Sequence, residues 1–263
     1  MNHKNRPVSI PDQKAGSGLS SKSASRRLTQ RGTLRSKISS QGRFAILLDA
    51  TGSMSALINE ARRDITEIIN RISTEANCQV EIEVIIYRDY DVPNHQLIEY
   101  SGLQSDPSLL RSWLSKVNVL GGGTNDGEAI EVALARGLQI QNLTAVMLAG
   151  DEPANSAEHI RQNGPAGMKS AAQLAADFGK QACPIHAFVV GQRASTVQSF
   201  KQIADISGGK AGYLNGSNDM LDMAVMAMLS SLRGRAAVEK YMKERNLSVD
   251  AGNYGRLLLG GPE

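Results

Sequence analysis

Phe44-Ala45-Ile46-Leu47-Leu48-Asp49-Ala50-Thr51-Gly52-Ser53-Met54-Ser55 is the stretch from which the rest of the chain is read. The apolar run 44–48 has the length and composition of a strand covered on both faces, and it stops at an aspartate followed by small and hydroxylic residues. Immediately beyond, Ile58, Ala61, Ile65, Ile68, Ile69 and Ile72 recur at steps of three and four, with Glu60, Arg63, Asp64 and Glu67 on the other side; this spacing predicts an amphipathic helix. Strand, short loop and helix in this order open an α/β sheet.

Open α/β sheets place their sites at the carboxyl ends of their strands. Asp49, Thr51 and Ser53 stand there at alternate positions, so their oxygens can point to one side, and Gly52 is expected to allow a sharp bend between them. Three hard oxygens at a strand end suit a hard cation. Magnesium fits best, because it takes octahedral oxygen ligation and keeps several waters rather than a full protein cage.

Two further segments offer partners for such a site. Leu120-Gly121-Gly122-Gly123-Thr124-Asn125-Asp126-Gly127-Glu128 is a glycine-rich loop running into a helix, and Leu143-Thr144-Ala145-Val146-Met147-Leu148-Ala149-Gly150-Asp151 is a second buried strand ending in an acid. The glycine loop lacks the lysine of a P-loop, and Asp126 stands where the third glycine of a dinucleotide fingerprint belongs, so nucleotide binding is poorly supported. The ordered combination of Asp-x-Thr-x-Ser, Gly-Gly-x-Thr and a later strand-end aspartate resembles the metal-ion-dependent adhesion site of a von Willebrand factor type A (vWA) domain over residues 43–231. Thr51 stands where the family more usually has serine and keeps the hydroxyl. Asp-Ala-Thr-Gly-Ser-Met, then Tyr87-Arg88-Asp89-Tyr90, then Gly150-Asp151-Glu152-Pro153 are similar to the version attached to alpha-type protein kinases and to related microbial versions, although no segment here reads as a kinase domain.

The resemblance implies a doubly wound, Rossmann-like sheet of six strands in the order 3-2-1-4-5-6, with strand 3 antiparallel and helices on both faces. It implies that Asp49, Thr51 and Ser53 meet Thr124 and Asp151 around Mg²⁺, with Mn²⁺ or Ca²⁺ as other candidates. Glu152 is the alternative to Asp151 as the strand-end acid, and the strand-end position favours Asp151.

Composition bounds these expectations. The 263 residues suffice for one substantial core with appendages. Residues 1–40 hold nine Lys or Arg against the single Asp12, which leaves twenty basic against twenty-five acidic residues beyond them. This segment, rich in Ser and Gly with almost no periodic apolar content, is expected to be a disordered basic tail. Nucleic acid is a conceivable partner for it, but no aromatic residues interleave with its charges, and a solvated tail is preferred. A vWA domain over 41–232 and a C-terminal helix and tail over 233–263 complete the division. Two cysteines, Cys78 and Cys183, each precede an apolar strand and read as free buried thiols in a reducing, cytoplasmic setting. No run is apolar and long enough to span a membrane.

The remaining elements follow from pattern. Residues 79–87 read as the second strand and 96–100 as a returning antiparallel edge strand; helices are expected over 107–117, 128–138, 170–182, 196–206, 220–232 and 236–245, and strands over 184–191 and 212–214. Leu257-Leu258-Leu259 sits in a glycine-flanked tail with no assigned structure. Arg88 and Asp89 can either join the rim of the site or hold their loop by local pairing. His159 reads as a surface residue and His186 as a hydrogen-bonded interior histidine.

Binding rather than catalysis is expected. A hydrolase built on a strand-end aspartate nucleophile carries a second aspartate two residues on, where this chain has Thr51, and no Gly-x-Ser-x-Gly elbow is present. The resemblance implies an adaptor that offers its metal to an Asp or Glu of a partner protein; similar microbial domains act alongside ATPases, kinases or other effector proteins. The rival readings are a metal-dependent phosphoryl-transfer or hydrolytic enzyme and a metal-free scaffold.

Overall fold

A computed structural model describes residues 41–120, 127–215 and 219–261. The expectations placed on residues 1–40 and on Thr124 and its glycine loop lie outside these. Six strands form one sheet: β1 (Gln41–Asp49), β2 (Gln79–Tyr87), β3 (Ile98–Tyr100), β4 (Ala145–Gly150), β5 (Ile185–Val190) and β6 (Ala211–Leu214), in the order β3-β2-β1-β4-β5-β6. All neighbours are parallel except β2 and β3. This is the expected order, with the third strand antiparallel.

The central position of β1 explains why its apolar run does not alternate. Phe44, Ile46 and Leu48 belong to the core on one face of the sheet, Ala45 and Leu47 to the core on the other. On the first face lie α1 (Ser55–Ala76), α3 (Pro107–Leu114) and α8 (Asp219–Arg233), and on the second α4 (Ile130–Gly137), α6 (Ala171–Lys180) and α7 (Ala194–Ser207). The isoleucine ladder of α1 is buried from Ile58 to Ile72, and the helix ends where Asn77 takes the left-handed conformation (φ 46°) and donates to Ser73 O and Thr74 O. The methionines of α8, at 220, 223, 226 and 228, fill the core.

Several boundaries differ from the sequence reading. The segment before β3 makes a single helical turn, α2 (Asn94–Leu97), so only three residues pair with β2. A short helix, α5 (Ala157–Asn163), lies in a stretch to which the sequence reading assigned no element. Beyond α8 the chain forms two helices, α9 (Arg235–Glu244) and α10 (Val249–Leu258), where one helix and a tail were expected. Both pack on the main body: Val238, Tyr241, Ala251 and Tyr254 join the same core as β1 and α1. Tyr241 Oη donates to Asp222 in α8 (2.6 Å) and accepts from Arg71 in α1 (3.1 Å). Tyr254 Oη is 2.8 Å from His186 Nδ1 and its ring packs edge-on to Phe188, so α10 is fastened to β5. His186 is thus an interior, hydrogen-bonded residue.

Candidate metal centre

The parallel register brings Asp49 beside Tyr87 and pairs Leu48 with Ala149, so the ends of β1, β2 and β4 lie at one rim. The ladder runs one residue further, with Ala50 N–H donating to Tyr87 O (3.0 Å) and Leu120 N–H to Ala50 O (3.0 Å). Leu120 also bridges Thr51, and Glu128 bridges Ala154, so the chain on each side of 121–126 is anchored at this rim.

Beyond Asp49 the backbone turns by hydrogen bonding. Asp49 Oδ1 accepts from the Thr51 N–H and the Thr51 hydroxyl, each at 2.8 Å, and Met54 N–H donates to Thr51 O as residues Gly52–Met54 form one 3₁₀ turn. Gly52 does not take a positive φ, so the bend rests on the Asp49–Thr51 hydrogen bonds and not on left-handed glycine geometry. Ser53 Oγ lies 3.5 Å from Thr51 Oγ1 and its residue is exposed, whereas Asp49 and Thr51 are buried.

Asp151 follows β4 directly. Its backbone carbonyl accepts from Thr196 Oγ1 at 2.8 Å, which fixes it from the first turn of α7. Glu152 instead turns to an ion pair with Arg193. Among the described residues, Asp49 Oδ2 and Asp151 Oδ1 are both buried and accept no hydrogen bond from another group. Burial raises the Asp49 carboxyl to about 7; the two Thr51 hydrogen bonds oppose this, and the charge of Asp151 adds to it.

The rim contains more acid than the motifs announced. Glu128, two residues before α4, is buried with no partner for its Oε2 among the described residues, and burial followed by the charges of Asp49, Asp89 and Asp151 raises its pKa. Nothing in the sequence marks it, because an acid at the start of a helix ordinarily complements the helix dipole in solvent. Tyr87 lies beneath, fully buried, and donates to Ala149 O (3.1 Å). Arg88 and Asp89 part company. The Arg88 guanidinium is buried and donates to Gln96 O (2.5 Å) and Asn118 O (2.6 Å) while pairing with Glu99 (2.8 Å). Asp89 accepts from Asn155 Nδ2 (2.7 Å) and lies 3.9 Å from His159 Nε2. His159 also stacks on Tyr90, whose hydroxyl donates to Glu131.

Among the described residues no three His, Cys, Asp or Glu side chains converge to hold a metal ion by themselves. Of the residues that the motifs named, the described ones supply two carboxylates and two hydroxyls, from Asp49, Asp151, Thr51 and Ser53. Unpartnered carboxylate oxygens beside hydroxyls are hard donors that suit Mg²⁺ in character.

No protein-family model matches the chain, and no curated protein matches it. Similar solved structures exist. Proximal thread matrix protein 1 from the mussel byssus is similar with a TM-score of 0.51 at 15% identity, over 72% of this chain and 46% of that one. The fold is vWA-like. A von Willebrand factor type A structure from Catenulispora acidiphila is similar at a TM-score of 0.48 and 14% identity, over 73% of this chain and 43% of that one. The conserved hypothetical protein BatB from Bacteroides thetaiotaomicron is similar at 0.47 and 16%, over 77% and 99%. This chain therefore spans under half the length of the mussel protein, and at these identities the likeness concerns the fold alone. No helix among the described residues is long and apolar enough to cross a membrane.

Proposed function

We propose that this vWA-like chain is a protein-binding module in which Asp49, Thr51, Ser53 and Asp151, joined by Thr124, hold Mg²⁺ and present it to an Asp or Glu of a partner protein. The observation that carries this reading is the pair of buried oxygens, Asp49 Oδ2 and Asp151 Oδ1, that have no hydrogen-bond partner among the described residues, at a rim where Ser53 is open to solvent. An unsatisfied buried carboxylate costs several kcal/mol, on the order of a domain's whole margin of stability, unless a proton or a cation meets it. When bound, Mg²⁺ supplies a hard electrophilic centre that can accept an anionic oxygen from outside. Thr51, tied to Asp49, orients that carboxylate and adds a neutral oxygen, so the rim supplies no more negative charge than its acids carry.

Binding is favoured over catalysis because the position two residues past Asp49 is a threonine hydroxyl already committed to Asp49 Oδ1. Within this reading the module is a cytoplasmic adaptor in a multi-protein system, working beside an ATPase, kinase or effector. Calorimetric titration of Mg²⁺ or Mn²⁺ is expected to show one site that Asp49→Ala abolishes; absence of binding by the unmutated chain would falsify the metal reading. Affinity capture in magnesium and in chelator is then expected to recover a partner only in magnesium. Turnover of generic phosphoesters lost in Asp49→Ala would instead establish an enzyme.

A further inference from the structure

We propose that the outer edge of β6 is a docking site for an extended, acidic segment of a partner protein, which adds its backbone to β6 between α7 and α10 and sets a carboxylate against Lys210. None of the residues assigned to the metal takes part, so the proposal stands apart from the metal reading.

β6 borders the sheet and pairs with β5 on one side only. Its parallel register sets Ala187 beside Ala211 and Val189 beside Tyr213, and Ala187 N–H donates to Lys210 O (3.0 Å). In a parallel ladder this phase turns Lys210 O and both backbone groups of Gly212 towards β5, and leaves the N–H and C=O of Ala211 and Tyr213 pointing outward. Among the described residues nothing bonds to either of these pairs. An edge of this kind asks for another extended backbone, which alone supplies donors and acceptors at the same spacing. Two outward residues hold a chain weakly by themselves, so the walls beside them have to add the rest.

Those walls exist on both faces of the sheet. Hollows of 240 Å³ and 430 Å³ share Ala211, Tyr213 and Leu257; the smaller reaches Val197 of α7 and the larger Asn253 of α10. Successive side chains of an added strand point alternately towards α7 and α10. Tyr213 is 41% exposed beside the outward amides, and a large open aromatic is the kind of side chain that anchors an interface. Charge selects the occupant. Beyond residue 40 the chain carries twenty basic against twenty-five acidic residues, yet the smaller hollow is bordered by Lys201 and Lys210 against Asp205 alone. Asp205 stands four residues from Lys201 on α7, whereas half-buried Lys210 has no ion pair among the described residues. A second copy would bring the same lysine to this edge, and segment 1–40 carries nine Lys or Arg against one Asp, so both are like-charged and an acidic segment of another protein fits better.

The test uses the full ¹⁵N-labelled chain in chelator, with acetyl-(Glu-Val)₃-amide and acetyl-(Lys-Val)₃-amide as probes. In two-dimensional NMR the glutamate peptide is expected to shift the amide signals of Ala211 and Tyr213, slow their hydrogen exchange, and bind about fivefold or more tightly than the lysine peptide. Lys210→Glu is expected to reverse that preference. Ala211→Pro removes an outward N–H at the first residue of an edge strand, where proline is tolerated, and is expected to weaken the glutamate peptide about three- to tenfold. Shifts that miss residues 211–213, equal affinity for the two peptides, or an affinity untouched by Ala211→Pro overturns the proposal. So does a concentration-dependent shift of these signals without peptide, which makes a second copy the occupant. If circular dichroism shows that Ala211→Pro does not fold, the glutamate peptide is N-methylated at its valines and, separately, at its glutamates; binding that falls in neither overturns the proposal. Because metal is absent throughout, each result leaves the metal reading where it stood.

Discussion

A methyl group at position 150 would fall 2.6 Å from Tyr87 Oη, 3.2 Å from Phe200 and 3.5 Å from Asp49 Cβ. Glycine is required there by close approach and not by backbone conformation, because Gly150 is not among the positive-φ glycines. Gly150→Ala is expected to cost about 1–3 kcal/mol in urea denaturation, and Tyr87→Phe in the same chain to recover part of it, since the hydroxyl in the way would be gone. An additive double-mutant cycle would show that the strain lies elsewhere. A second expectation concerns protons. The Asp49 carboxyl is raised to about 7 from an ordinary 3.8, so its protonated form stabilises the metal-free fold, fully below the ordinary value and decreasingly as pH rises through about 7. A cation must displace that proton. Apparent Mg²⁺ affinity should therefore rise from about pH 6 to about pH 8, with proton release visible as a buffer-dependent calorimetric heat; a pH-independent affinity would contradict it. At this scale the placement of Asp49 at the end of β1 and of Asp151 just past β4 was legible, because strand-end position is a local property. The burial of Glu128 was not, since it comes from what the fold packs against it.

Among the elements, those with a full apolar face were readable and those held by a few contacts were not. α1 shows its eight buried apolar positions in the sequence, whereas α5 buries only Ile160. α10 lies in what read as a glycine-flanked tail; Gly255 suits its place in the helix, since a Cβ there would stand 2.5 Å from Met242 Sδ and 3.0 Å from Met226 Sδ. The same helix is joined to β5 by Tyr254 and His186, and burial pushes His186 down to about 4 from 6.5. The unfolded chain then binds a proton that the folded chain refuses, so this histidine subtracts stability progressively as pH falls from about 6.5 to about 4, and no further below. His186→Gln is expected to flatten that acid limb in thermal melts relative to the unmutated chain. Equal slopes in the two proteins would place the acid sensitivity in other groups.

For the whole molecule, the body extends past the end of α8. Tyr241 links α1, α8 and α9 through Arg71 and Asp222, and Tyr254 closes the α8–β5 side, so residues 235–258 complete the core on one face of the sheet. A chain ending after Arg233 is expected to lose about 5 kcal/mol or more, from two buried tyrosines and a valine returned to water, which is comparable to the stability of a small domain. Urea unfolding would register this as a lost or strongly shifted transition; an unchanged midpoint would mean that α9 and α10 are ornaments. The doubly wound sheet was legible because alternating buried strands and amphipathic helices admit few connections, whereas the strand order rested on the resemblance to vWA domains.

The same strand order has a bearing on self-association. The two nine-residue strands, β1 and β2, lie inside the sheet, while its borders are three and four residues long. A border so short offers little template for another chain's backbone, so fibril seeding by the native protein should be slow, and clumping on heating should follow unfolding rather than precede it.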